Sequence, residues 1–65
     1  MAKKKVYTVK MLAYMNGLTI AELAQKADIK PSRLYEISAG RRRMMTRDLY
    51  KLTTVTGIKP EQIAH

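Results

Sequence analysis

Gly17, Gly40 and Gly57 each stand directly after a stretch whose apolar residues recur at helical spacing, and this punctuation confines the chain to short helices. A glycine just past the last helical turn adopts the left-handed conformation that closes a helix without steric cost. Pro31 and Pro60 fall where helices would begin, at the first helical position, where a missing N–H and a fixed φ are harmless. Between these marks the pattern predicts an all-α fold of five helices, at about residues 8–16, 19–27, 31–39, 46–56 and 60–64. One local alternative stays open: residues 5–9, Lys-Val-Tyr-Thr-Val, also suit a short strand.

The same spacing assigns the inward faces. Val9 and Leu12, with Met11 or Met15, turn inward from the first helix. In the second, Ile20, Leu23, Ala24 and Ala27 lie at i, i+3, i+4 and i+7, and Thr19 with Glu22 three residues on forms a capping box. Leu34 and Ile37 serve the third helix, and Leu49, Leu52 and Thr53, with Thr56, the fourth. Thr46 is the expected N-cap of that fourth helix, and Asp48 in its first turn favours the macrodipole. Ile63 and Ala64 complete the apolar set. Met44 and Met45 are expected to fill gaps near the preceding loop, or, if exposed, to support a contact between two copies.

Sixty-five residues suffice for one small domain, and nothing in the composition can staple it covalently. Cysteine is absent, and the lone histidine, His65, cannot build a metal site with the usual ligand spacing. The fold must rest on apolar packing, for which 46% hydrophobic residues are adequate. The longest uncharged run, residues 11–21, is well short of the roughly 20 residues that span a membrane. No signal peptide is evident, since Thr8 and Lys10 interrupt the apolar stretch after Lys3, Lys4 and Lys5. The expectation is a soluble, cytoplasmic domain over residues 6–65, preceded by a flexible basic arm at residues 1–5.

Thirteen Lys and Arg against five Asp and Glu give a net charge of +8 and a pI near 10.1. A polyanion is the natural partner, and a phosphate backbone fits best, although anionic lipid attracts the same charge and solubility alone could account for it. Catalysis has little to stand on. The carboxylates are scattered, with Glu22, Asp48 and Glu61 in first helical turns, and no internal histidine or nucleophile–base pair is present. No enzyme activity, cofactor, metal or small-molecule ligand is expected.

Two short helices joined by a three-residue turn, in a basic chain whose second helix has a polar outer face, have the layout of a helix-turn-helix. The residues from Thr19 to Gly40, read in order, sharpen that reading. Leu18-Thr19, Glu22-Leu23-Ala24, Ile29, Leu34, Ile37, and Gly40 followed by arginines make the segment resemble the lambda-repressor-like family, the phage repressor and Cro group also termed Xre-type. The similarity runs on through Leu49, Leu52, Gly57 and Ile63. The departures are specific: Asp28 replaces the usual turn glycine, Ile20 stands where many members carry a glutamine, and Pro31 and Glu36 stand where amides often reach base edges.

The resemblance implies that residues 31–39 form a recognition helix for the major groove of double-stranded DNA. On that helix Ser32 can exchange hydrogen bonds with a base edge, Arg33 can reach guanine or a phosphate, Glu36 can accept from cytosine N4, and Tyr35 can pack on a thymine methyl. Arg41, Arg42, Arg43 and Arg47, in and after the family's backbone-tracking loop, are candidates for phosphate contact, as are Lys30 and the helix N-terminus at Thr19 and Ile20. A sequence-specific regulator, as a homodimer on a palindromic operator, is the expected function. A helix-turn-helix used as a protein-interaction module, such as an antirepressor or antitoxin-like partner, is the alternative. Nonspecific architectural DNA binding is a third.

Overall fold

Three of the four α-helices begin on a side-chain cap. In the computed structural model, which describes residues 6–64, α1 (Val9–Met15) opens with the Thr8 hydroxyl accepting from the Met11 amide at 3.2 Å. α2 (Ile20–Lys26) carries the full capping box: Glu22 N–H donates to Thr19 Oγ1 at 3.1 Å, and Thr19 N–H donates to Glu22 Oε1 at 2.9 Å. α3 (Pro31–Ser38) starts on Pro31 after an extended Lys30. α4 (Thr46–Thr56) differs from expectation at its start, because Met45, not Thr46, is the N-cap residue. The Asp48 carboxylate reaches back to the Met45 amide at 3.0 Å, so the cap comes from three residues along the chain and the threonine hydroxyl is not needed for it.

Each α-helix contributes one leucine with no exposed surface: Leu12, Leu23, Leu34 and Leu52. Ile63, from the C-terminal segment, joins them, with Val9, Ala13, Ala24, Ala27, Ile29 and Met44 around this centre. Burial of one such leucine or isoleucine is worth about 1.5–3 kcal/mol, so these five side chains carry much of the apolar stabilisation. Met11 and Met15, offered above as alternative inward residues of α1, are both exposed. Ala13 takes the fourth-residue position beside Val9 and Leu12, leaving the methionines on the outer side of a seven-residue helix. Met44 fills the core as expected, whereas Met45 is exposed.

The expected fifth helix is instead a single 3₁₀ turn, Pro60–Gln62. Ile63 then runs extended and forms a parallel bridge with Tyr7: Tyr7 N–H donates to the Gln62 carbonyl at 2.7 Å and Ala64 N–H to the Tyr7 carbonyl at 2.8 Å. A helix of four or five residues barely repays its nucleation cost, while pairing with residue 7 satisfies the same backbone groups and seats Ile63 in the core. Of the strand alternative at residues 5–9, the described residues 6–9 show one bridged residue, Tyr7, with Thr8 already capping α1. The proposed arm, residues 1–5, lies outside the described residues.

The turn between α2 and α3 has the tightest local requirement. Asp28 sits at φ +58°, the only non-glycine residue with positive φ among those described. The Ile29 amide bonds back to the Ala24 carbonyl at 2.8 Å, closing α2 in the manner by which Gly40 lets the Arg41 amide bond to the Glu36 carbonyl at 2.9 Å after α3. Aspartate tolerates the left-handed region better than most side chains. Asp28→Gly is therefore expected to leave stability within about 0.5 kcal/mol of the parent, while Asp28→Val lowers it by about 1–2 kcal/mol. Thermal melts that moved equally for both variants would show that backbone conformation is not what position 28 demands.

Candidate nucleic-acid interface

α2 and α3 pack more extensively against each other than any other pair of elements, through Leu23, Ala24, Ala27, Ile29 and Leu34. This packing fixes which side of α3 is left over. Ser32, Tyr35 and Ala39 are exposed and Glu36 is half-buried, a stripe at i, i+3, i+4 and i+7, while Leu34 is sealed and Ile37 packs against the core. Three of the four base-contact candidates, Ser32, Tyr35 and Glu36, thus share one outward face.

The fourth, Arg33, is occupied. Its Nη2 lies 2.8 Å from Asp48 Oδ2 and its Nε donates to Oδ1 and Oδ2 at 3.2 and 3.3 Å. Asp48 is buried, with 5% of its side chain exposed, and also accepts from the Met45 amide. The hydrogen bonds from Arg33 hold the Asp48 carboxyl below the usual carboxylate range. Burial opposes this, whereas the Met45 amide and the charges of Arg33 and Lys51 assist it. Reciprocally, the bond to Asp48 raises the Arg33 guanidinium further above its already high value. The pair ties the recognition-helix candidate to the start of α4.

Two open grooves flank α3. Lys30, Arg33 and Arg47 line one of about 610 Å³ between the α2–α3 turn and the start of α4, together with Lys51. Arg41, Arg42 and Arg43 line the other, of about 550 Å³, beside Ile37 and Thr8. Thr19 and Ile20 line neither. At the α2 N-terminus the capping box already engages the Thr19 and Glu22 amides, and the Ile20 side chain packs against the core. Over residues 1–65 the sequence matches the Cro/C1-type helix-turn-helix DNA-binding domain. The chain belongs to that family. No curated protein and no solved structure shows a significant match beyond it.

Two residues of this Cro/C1-type domain have roles that the sequence pattern does not reveal. The pattern assigns Asp48 only to the helix dipole, yet it is an ion-pair centre as well as a cap. Its capping pattern has methionine where Ser or Thr would flag it, and its partner lies fifteen residues upstream. Lys51 donates to the Asp28 carbonyl at 2.8 Å, fastening α4 to the helix-turn-helix turn, a contact between residues 23 positions apart that no local pattern announces. Among the described residues no helix is long and apolar enough to cross a membrane, and no group of His, Cys, Asp or Glu comes together as a metal site.

The distribution of unpaired charge is distinctive. Lys30, Arg41, Arg43 and Arg47 are all exposed and make no ion pair among the described residues, and they lie at both ends of α3.

Proposed function

We propose that this protein is a sequence-specific DNA-binding transcriptional regulator of repressor type, which docks α3 in the major groove and occludes an operator. The observation that carries the reading is the pairing of a polar, solvent-facing α3 stripe with four exposed, unpaired cations at its two ends. Ser32, Tyr35 and Glu36 are assigned to base edges. Lys30, Arg41, Arg43 and Arg47 are assigned to phosphates. Arg33 is assigned to bracing α3 on Asp48, because swinging it to DNA would leave a buried carboxylate without its partner. Two copies on a palindrome, contacting through the C-terminal segment 57–65 with the exposed Met45 or Tyr50, complete the proposal.

Selection of bound fragments from a random DNA pool near physiological salt tests it. The expected result is a symmetric motif with half-sites about one helical turn apart; a pool without enrichment overturns it. The phosphate assignment makes its own prediction. Arg41→Gln with Arg43→Gln is expected to weaken binding on every sequence and to flatten the dependence of log K on log salt by about 0.9 for each phosphate no longer neutralised. An unchanged salt slope would remove both arginines from the backbone.

A further inference from the structure

Glu36 presents a difficulty for any DNA-binding face: it places a negative charge on the outward stripe of the helix assigned to a groove walled by phosphates. Arg42 resolves it. After Gly40 turns the chain back, Arg42 lays its guanidinium on this carboxylate, with Nε donating to Oε1 at 3.1 Å and Nη2 lying 3.0 Å from the same atom. Both interactions converge on one oxygen. The other, Oε2, accepts no hydrogen bond among the described residues.

The pair is not there for stability. The side chains are 51% and 42% exposed, and exposed ion pairs of this kind contribute at most about 1 kcal/mol. What the geometry does achieve is local neutralisation and orientation. Glu36 is held by one oxygen, its charge is compensated without recruiting a counterion, and its free oxygen stays available one helical turn from Ser32. A carboxylate oxygen can only accept, and in the major groove the amino donors are cytosine N4 and adenine N6. Cytosine N4 is the better fit, because adenine also offers the N7 acceptor, which repels a carboxylate.

We infer that Glu36 and Arg42 act as one base-reading unit selective for a C·G pair, Oε2 of Glu36 accepting from cytosine N4 while Arg42 stays on Oε1 as a positioning residue. Arg42 thereby differs in role from its neighbours Arg41 and Arg43, which face solvent without a carboxylate partner. The inference rests on the proposed docking of α3 in the major groove.

The test compares Glu36→Gln, Arg42→Gln and Arg43→Gln on the selected DNA site and on versions of it with each base pair replaced in turn, at two salt concentrations. All three side chains are at the surface, and circular dichroism verifies that the variants fold. Glu36→Gln and Arg42→Gln are each expected to lose about tenfold in discrimination at the same C·G pair. The double variant should lose no more discrimination than either alone, and Arg43→Gln should keep full discrimination while its salt slope falls. Uniform weakening of Arg42→Gln on all sequences, or loss of preference at a different base pair from Glu36→Gln, overturns the unit while leaving the regulator reading intact. A parent protein with no base preference overturns both.

Discussion

Leu34→Ala is expected to remove about 2–5 kcal/mol, a large share of the stability of this domain. Leu34 has no exposed surface and projects from the inner side of α3 into the packing with α2. Truncating a buried leucine to alanine costs about 2–5 kcal/mol, lost transfer energy plus the cavity that remains. A domain of this length has a total stability of only about 3–10 kcal/mol, and without cysteine it has no disulfide to offset the loss. Since Leu34 anchors the very helix that carries Ser32, Tyr35 and Glu36, DNA binding should weaken in step with the folded fraction. Urea denaturation followed by far-ultraviolet circular dichroism measures the effect. Leu34→Met, nearly equal in volume, should cost less than about 1.5 kcal/mol. A Leu34→Ala protein destabilised by under about 1 kcal/mol would mean that α3 is held by something other than this side chain.

Asp48→Ala is expected to lower stability by about 2 kcal/mol, because it removes an N-terminal cap and leaves the Met45 amide without its acceptor. Arg33 also loses its only carboxylate partner among the described residues. The effect carries a pH signature. Asp48 is held below its ordinary value in the folded protein, so as pH falls the unfolded chain takes up the proton first. Its contribution is therefore complete above about pH 4, the unfolded aspartate value, and declines below that as pH approaches the depressed native value. Asp48→Asn cannot titrate. The stability gap between parent and Asp48→Asn, read from urea midpoints, should be widest above about pH 5 and should narrow toward pH 2. Parallel curves across that range would show that the carboxylate is not stabilised by Arg33 and the Met45 amide.

The helix boundaries are legible in the sequence because their signals are local. Thr8 and Thr19 cap within three residues, Pro31 opens its helix, and Gly17, Asp28 and Gly40 close α1, α2 and α3 by bonds spanning five residues, while the Gly57 amide closes α4 by a bond spanning four. The outward face of α3 is legible for the same reason, since burial of Leu34 and Ile37 leaves Ser32, Tyr35 and Glu36 outside at helical spacing. The C-terminal segment departs from its helical pattern because its fate depends on a competitor. Nothing within residues 60–64 reveals that Tyr7 offers backbone partners in exchange for a marginal helix. Met11 and Met15 are ambiguous because a seven-residue helix has too few turns for its apolar stripe to identify one side, and alanine satisfies the core.

Arg33 and Arg42 show where the sequence stops. Both are arginines near the outward helix, chemically equal as candidates for guanine or phosphate. Folding places Arg33 against a buried aspartate from α4 and Arg42 against Glu36 across the Gly40 turn, while Arg41 and Arg43 stay unpaired. By itself the sequence determined the four α-helices, the DNA-binding class and the polar outward stripe of α3, because periodicity, caps and net charge are properties of near neighbours and of totals. Only the tertiary structure decided which cations remain free for that partner, because an ion pair is set by distances in space between residues that the chain keeps apart.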